Sequence, residues 1–378
     1  MSEKSVEKHE RVFAAPDKDQ AGRRTLIGHS LDELKDILQD YQIPNFRAKQ
    51  VWHWMYHRGV KTFDEMANLP KDMRARLTEN FTIGRPEVVT EQKSTDGTMK
   101  WLLKMDDGQM VEAVFIPEDT RGTLCVSSQV GCTLTCKFCH TGTQKLVRNL
   151  GAHEILQQVM HARDVLKEWA GDKAENDKRD FSNIVLMGMG EPLYNYQNIA
   201  KALKICMDEN GLSISKRRIT LSTSGVVPMI EKCGEELNVN LAISLHASDD
   251  ELRSDIMPIN KKYPLAELMQ ACRNYPLDAK RRITFEYVML AGVNDSDEQA
   301  RDLITLIGDI PAKVNIIPFN PWPGVEYECS SRNRIHAFAN ILKNAGMDAP
   351  IRKTRGEDIL AACGQLKSAS KRDKVTSK

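Results

Sequence analysis

Hydrophobic residues recur with helical spacing over residues 26–85. Ser30 and Glu33 form the signature of an N-terminal capping box, in which each side chain binds the backbone N–H of the other residue. Two further helices are predicted, over Phe46–His57 and near Lys71–Phe81. We therefore expect a small helical accessory domain, preceded by a polar and disordered stretch over residues 1–25.

The second predicted helix mixes basic and aromatic residues: Arg47, Lys49, Trp52, His53, Trp54, Tyr56, His57 and Arg58. Basic side chains beside aromatic ones suit phosphate contact and base stacking, so this helix is a candidate RNA-binding element. An amphipathic helix whose Trp and Tyr side chains lie in the core would show the same pattern. The sequence leaves both interpretations open.

From residue 86 to residue 120 the hydrophobic positions alternate with a period of two. Asp96-Gly97 and Asp107-Gly108 interrupt this alternation, and such dipeptides are typical of tight turns between antiparallel strands. The pattern predicts a short antiparallel β extension.

Over residues 121–348 strand-like and helix-like segments alternate. The strand-like segments are Leu124–Ser128, Asn183–Met187, Arg218–Ser222, Asn240–Leu245, Ile283–Met289 and Val314–Phe319. Six strand–helix units in succession predict an α/β fold with a parallel sheet covered by helices. Because a closed barrel of this kind needs eight units, we expect a partial (β/α)6 barrel, followed by a C-terminal segment over residues 349–378 with a frayed basic tail.

Composition limits the possible function classes. The chain has 378 residues with 53 Lys and Arg against 52 Asp and Glu, which excludes a globally basic nucleic-acid binder but not a local basic face. No apolar run approaches the roughly 18 residues of a membrane span, and the charged N-terminus lacks the apolar stretch of a signal peptide. We expect a cytoplasmic protein without membrane attachment.

Local basic clusters could form a rim that follows RNA phosphates: Lys216–Arg218, Lys261–Lys262, Lys280–Arg282 and Arg352–Arg355. Charge runs are more often solvated faces than binding sites.

Three of the nine cysteines, Cys132, Cys136 and Cys139, form a C-x3-C-x2-C array directly after the first barrel strand. An odd cysteine count without an export signal argues against a disulfide framework. Three thiolates at this spacing can bind three corners of a [4Fe–4S] cluster and leave one iron open to a small molecule. A structural zinc site is the alternative, but it needs four ligands in paired spacings.

The cysteine array, with Phe138 before its last cysteine, resembles the motif of the radical S-adenosylmethionine (SAM) superfamily. The turn Gly188-Met189-Gly190-Glu191-Pro192 is similar to the element that holds the SAM amine in that superfamily. The resemblance implies that the open iron binds SAM and that an electron from the cluster cleaves SAM to a 5′-deoxyadenosyl radical.

From about Ile43 to Leu366 the chain is similar to a family of dual-specificity RNA methyltransferases that act on the C2 carbon of adenine in 23S rRNA and tRNA. The matching stretches are Val51–Trp54, Val111–Pro117, Gln129–Cys132, Gly188–Leu193, Ser222–Gly225, Ser244–Ala247, Ile317–Pro321 and Arg355–Leu366. The resemblance implies two SAM molecules per turnover, an electron donor such as flavodoxin, and a monomeric enzyme.

The resemblance also implies a role for each matching residue. Cys132, Cys136 and Cys139 would hold the cluster, and the SAM contacts would be Gly190, Glu191, Ser222, Ser244, Leu245, His246 and Asn320. Cys363 would carry a methyl group, Cys125 would resolve a protein–RNA adduct through a transient disulfide, and Glu112 would be the acid–base residue.

Taken alone, Cys125 and Cys363 could equally be inert packed cysteines, and Glu112 could be a salt-bridged strand residue. Two alternative functions stay open: the related methylation of C8 of the rRNA adenine, and a non-catalytic iron–sulfur or zinc RNA-binding module.

Overall fold

The computed structural model describes residues 3–119, 121–170, 172, 180–278 and 280–370. Within these residues the chain forms eleven α-helices: α1 (Glu3–Val12), α2 (Leu31–Asp40), α3 (Asn45–Tyr56), α4 (Lys71–Asn80), α5 (Ala152–Leu166), α6 (Tyr196–Met207), α7 (Val227–Glu236), α8 (Asp250–Ile256), α9 (Leu265–Asn274), α10 (Asp297–Ile307) and α11 (Arg332–Asn344).

The strands of the same described residues are β1 (Arg24–Thr25), β2 (Phe81–Thr82), β3 (Glu87–Lys93), β4 (Met99–Lys104), β5 (Met110–Pro117), β6 (Gly122–Cys125), β7 (Gln129–Val130), β8 (Arg148–Asn149), β9 (Asn183–Leu186), β10 (Ile219–Thr223), β11 (Asn240–Ser244), β12 (Ile283–Met289) and β13 (Ala312–Pro318). Short 3-10 helices lie at Phe63–Glu65, Thr141–Thr143, Pro192–Asn195, Lys216–Arg218, Pro258–Lys261 and Glu357–Ile359.

The central sheet has the strand order β13-β12-β11-β10-β9-β6-β5-β4-β3 among the described residues. Strands β6 and β9 to β13 are parallel and each overlaps one of the six strand-like segments of the sequence, which confirms the partial (β/α)6 barrel. The antiparallel strands β3, β4 and β5 join the same sheet through pairing of β5 with β6. The β extension is therefore continuous with the barrel sheet.

The helical region before the sheet follows the predicted pattern. The capping box of Ser30 and Glu33 is present at the start of α2. In α3, Trp52 and Tyr56 are buried, so the core interpretation is the correct one for these two aromatic residues. Basic and histidine side chains occupy the exposed face of this helix.

The expectation of a disordered stretch over residues 1–25 is wrong for residues 3–12. Residues 3–12 form α1, where Val6 is completely buried and the Glu10 carboxyl accepts a hydrogen bond from the Gln197 backbone N–H at 2.9 Å. Burial of an apolar face on the barrel orders this charged segment.

The basic tail is only partly as expected. Residues up to 370 are anchored, since the Ser370 hydroxyl accepts a hydrogen bond from the Met110 backbone N–H at 2.7 Å. The rest of the tail, residues 371–378, lies outside the described residues.

Within the described part of the chain, no helix has the length and apolar character needed to cross a membrane.

Candidate active site

The carboxyl ends of the parallel strands meet at one edge of the sheet, where they bring candidate residues together. An open cavity lies there. Its lining includes these predicted residues: Cys132, Cys136, Cys139, Gly190, Glu191, Ser222, Ser244, His246 and Cys363.

The turn after β9 requires its glycines. Gly190 has a φ of 97°, and a Cβ added there would lie 2.5 Å from the Cβ of Gln129. A Cβ on Gly188 would lie 2.6 Å from the Val126 carbonyl oxygen. Only glycine permits this close approach, which places Glu191 at the cavity.

Glu191 is buried with its carboxylate already oriented by the backbone. One oxygen accepts the Ser224 N–H at 2.8 Å and the other accepts the Leu193 N–H at 3.1 Å. Burial raises the pKa of Glu191, against the opposing effect of these hydrogen bonds. A ligand amine placed beside this carboxylate would favour its charged form, so the arrangement suits the SAM amine.

His246 follows β11 and is held as a neutral imidazole. Its Nδ1 accepts the Val288 backbone N–H at 3.0 Å, and burial lowers the pKa of the imidazole to about 3. Its backbone lies in the left-handed region at φ 60°, a conformation that costs energy for a residue with a side chain. The ring packs edge-on against Phe138 of the cysteine array.

The cysteine array surrounds the same cavity. Burial is the largest cause that raises the pKa values of the Cys132, Cys136 and Cys139 thiols, and neighbouring thiols raise those of Cys132 and Cys136 further. The Leu134 N–H donates to the Cys132 sulfur at 3.3 Å, a contact also common around iron–sulfur clusters. Bound iron would stabilise thiolates that burial alone disfavours.

Cys132, Cys136 and Cys139 all line this one cavity, so three thiols are available there to a [4Fe–4S] cluster. Across the described ranges, no three His, Cys, Asp or Glu side chains are grouped so that they could hold one metal ion.

The segment that carries Cys363 folds back over the strand ends and is hydrogen-bonded to the end of the cysteine array. The His140 backbone N–H donates to the Gly364 carbonyl at 2.7 Å, and the Thr141 hydroxyl donates to the Leu366 carbonyl at 2.5 Å. A residue 224 positions after Cys139 in the chain is thereby placed at the cavity that these thiols line.

A second cavity adjoins the first and is lined by Cys125, Cys363 and Asn320. Cys363 and Arg352 line both cavities and therefore lie at their junction. The amide of Asn320 donates to the Cys363 carbonyl at 3.5 Å, so Asn320 supports the Cys363 segment.

Both catalytic cysteine candidates are free thiols, and none of the nine cysteines, all in the described part, forms a disulfide. Burial, with Cys363 nearby, raises the pKa of the Cys125 thiol to about 12. A pKa this high keeps the Cys125 thiol protonated at neutral pH, so its sulfur has to lose a proton before it can act as a nucleophile.

Two of the predicted site residues lie outside the lining of the two cavities. Leu245 and Glu112 do not belong to the lining of either cavity in the described structure. Leu245 is buried and contributes its backbone, since its carbonyl accepts the Arg253 Nε–H at 3.1 Å. Glu112 forms an ion pair with Lys100.

Three residues at the site were not assigned to it from the sequence. Arg253 is fully buried and donates to the carbonyls of Ser224, Ser244 and Leu245, which fixes the ends of β10 and β11. Glu286 and Arg352 face each other at the first cavity. Glu286 lies in the middle of a predicted strand, and a carboxylate in a buried strand was the available signal.

The basic clusters do not form a single rim. Lys216–Arg218 and Lys280–Arg282 directly precede β10 and β12, so they lie at the amino-terminal edge, away from the cavities. Among the described residues, the Arg352–Arg355 cluster is the only one of the four basic clusters that lines the second cavity.

The sequence and the fold were compared with known proteins. The profile of the radical SAM superfamily matches residues 126–304, and that of the ribosomal RNA large subunit methyltransferase N-terminal domain matches residues 25–83. The dual-specificity RNA methyltransferase RlmN of Rhodospirillum rubrum is 61% identical over 352 residues, covering 93% of this chain and 82% of that protein.

Two further relatives agree. RlmN of Gluconobacter oxydans is 56% identical, covering 96% of this chain and 90% of that protein. The crystal structure of a radical SAM methyltransferase from Sphaerobacter thermophilus superposes with a TM-score of 0.85 at 43% identity, covering 90% of this chain and 98% of that one. The chain therefore belongs to the RlmN family of dual-specificity radical SAM RNA methyltransferases.

Proposed function

We propose that this enzyme methylates the C2 carbon of adenosine in 23S rRNA and in tRNA, with Cys363 as the methyl carrier and Cys125 as the resolving thiol. The observation that carries the proposal is the position of Cys363 at the junction of two cavities, one lined by the cluster cysteines and one by Cys125. A methyl carrier has to reach both SAM and the base.

The residues of the first cavity divide into two groups by their chemistry. Cys132, Cys136 and Cys139 would hold the cluster, and Glu191 would bind the SAM amine, with Ser222, Ser244 and His246 around the rest of the molecule. When bound, the cluster and SAM supply a one-electron cleavage that produces a 5′-deoxyadenosyl radical.

The chemistry of C2 explains why two cysteines are needed. Because C2 of adenine is electrophilic, it cannot attack a SAM methyl group directly. The Cys363 thiolate instead accepts a methyl group from a first SAM by displacement. The 5′-deoxyadenosyl radical from a second SAM would take a hydrogen atom from this S-methyl group, whose carbon would then form a bond to C2.

Release of the product then depends on Cys125. A base would take the C2 proton of the adduct, and the cluster, when bound, would take back its unpaired electron. The Cys125 sulfur then attacks the Cys363 sulfur, and the carbon–sulfur bond breaks. The freed carbon takes a proton to become the methyl group, and the two cysteines form a transient disulfide that must be reduced. An electron donor such as flavodoxin, a monomeric state and a cytoplasmic location complete the proposal.

Peptide mass spectrometry of the anaerobically purified protein tests the methyl-carrier role. We expect S-methylcysteine at position 363 and no RNA methylation by Cys363→Ala. Cys329→Ala, which removes an exposed cysteine, is the matched control and should retain activity. RNA methylation by Cys363→Ala would refute the role, and 8-methyladenosine in place of 2-methyladenosine would refute the assigned position on the base.

A further inference from the structure

A buried ion pair joins strands β4 and β5 beneath the C-terminal segment. Lys100 Nζ lies 3.0 Å from Glu112 Oε1, and each side chain is only 9% exposed. The two residues are diagonal neighbours on one face of the sheet, since Lys100 is opposite Val114 and Glu112 is opposite Leu102. Burial of two charges is unfavourable unless further hydrogen bonds satisfy them.

The remaining hydrogen bonds of this pair go to the backbone on either side of Cys363. Lys100 Nζ donates to the Leu360 carbonyl at 3.3 Å, three residues before Cys363. Glu112 Oε2 accepts the Lys367 N–H at 2.9 Å, four residues after Cys363. One ion pair thus holds both ends of the loop that bears the proposed methyl carrier.

The backbone at the first of these contacts needs support. Leu360 has a φ of 51°, in the left-handed region that a leucine rarely adopts, and its side chain is 38% exposed. The hydrogen bond from Lys100 to the Leu360 carbonyl is one of the polar contacts that support this conformation.

We propose that Lys100 and Glu112 are positioning residues that form a two-point clasp on the 360–367 loop and hold Cys363 at the junction of the two cavities. The proposal rests on the methyl-carrier role of Cys363 and assigns Glu112 a part different from that of acid–base residue. Both carboxylate oxygens of Glu112 are engaged in the clasp, and the side chain lines neither described cavity.

Hydrogen exchange measured by mass spectrometry tests the clasp without requiring catalysis. Lys100→Met and Glu112→Gln should each accelerate amide exchange over residues 361–367, whereas Lys100→Arg should restore protection. Lys104→Met is the matched control, because Lys104 lies on the same strand and pairs with Glu87 at the surface. A double variant, Lys100→Met with Glu112→Met, removes the clasp without leaving an unpaired buried charge that could prevent folding.

Two measurements separate the clasp from an acid–base role. They are the content of S-methylcysteine at position 363 and the amount of RNA adduct that forms in a Cys125→Ala background. A displaced loop should lower both by on the order of tenfold or more in Lys100→Met and Glu112→Gln alike, with SAM binding unchanged. If Glu112 acts only as a base after adduct formation, Glu112→Gln alone will retain S-methylation and adduct.

Two results would overturn the clasp: unchanged exchange over residues 361–367 in both single variants and the double variant, or normal S-methylation despite faster exchange. Failure of the methyl-carrier proposal looks different, because the wild-type protein would then lack S-methylcysteine at position 363 while the loop stays protected.

Discussion

At the scale of single residues, Arg253 shows how a buried cation can organise a cofactor site. Its guanidinium donates to the Ser224, Ser244 and Leu245 carbonyls and to the Asn260 side chain, so its donors bridge two strand ends and the segment after α8. Burial lowers the pKa of this arginine to about 10, which leaves it charged at neutral pH. Ser224 and Ser244 line the first cavity, so its shape depends on these carbonyls being held in place.

Replacing Arg253 by methionine should destabilise the protein by roughly 2–5 kcal/mol, because several buried carbonyls lose their donors. Urea denaturation followed by circular dichroism measures this change. Arg273→Met is the matched control, since Arg273 forms an exposed ion pair with Asp309 and exposed pairs contribute little. Equal midpoints for the two variants would contradict the structural role of Arg253.

Cluster binding can also be tested at single residues. Cys136→Ala removes one of the three thiols of the cysteine array at the first cavity, so anaerobically purified protein should lose most of its iron and its brown colour. Cys272→Ala, at a buried cysteine outside the lining of both cavities in the described structure, should retain its iron. A colourless wild-type protein with stoichiometric zinc would refute the cluster assignment.

At the scale of secondary-structure elements, α1 is attached to the barrel through a titratable group. Burial is the main cause that raises the pKa of Glu10 to about 7 from 4.5. At a pH between these two pKa values, the Glu10 carboxyl is protonated in the docked helix and ionised in the released helix. Docking of α1 is therefore favoured at low pH and weakens as pH rises through about 7.

Hydrogen exchange of the α1 amides at about pH 5.5 and about pH 8 checks this prediction once exchange is corrected for its intrinsic pH dependence. The wild-type helix should lose protection at the higher pH. The Glu10→Gln variant cannot ionise at this position, so it should lose much less protection at the higher pH. Glu3 is exposed, and Glu3→Gln should lose as much protection as the wild type. Identical pH dependence in Glu10→Gln and the wild type would show that Glu10 does not control docking.

At the scale of the whole molecule, the placement of basic residues indicates which face meets RNA. The second cavity opens beside Lys353 and Arg355, whereas Lys280 precedes β12 at the opposite edge of the sheet. Phosphates that flank a target adenosine in this cavity would lie near Lys353 and Arg355 and far from Lys280. The target base has to leave its stack to enter.

Lys353→Glu should therefore weaken RNA binding and give a shallower dependence of affinity on salt, because a phosphate contact is lost. Fluorescence anisotropy at several salt concentrations measures both quantities, and SAM binding should be unchanged. Lys280→Glu makes the same change of charge at the other edge and should have little effect. A stronger effect of Lys280→Glu would place the RNA on the amino-terminal edge.

The parallel strands, the capping box and the cysteine array were predictable because each depends on local pattern. The order of α1 was not, because a charged segment becomes helical here only through burial of Val6 against the barrel. The position of Arg253 was equally hidden, since it depends on carbonyls of other elements, such as that of Ser224. Family resemblance supplied Cys363, and the fold explains how it reaches the site.

The central claim is that Cys363 and Cys125 act in sequence on one RNA adduct, and the Cys125→Ala variant tests it most directly. Without the second thiol the adduct cannot be resolved, so RNA should remain covalently attached to the protein. Denaturing gel electrophoresis, nuclease digestion and peptide mass spectrometry should locate an adenine modification on Cys363. Normal turnover by Cys125→Ala without any adduct, or attachment at a different residue, would contradict the account.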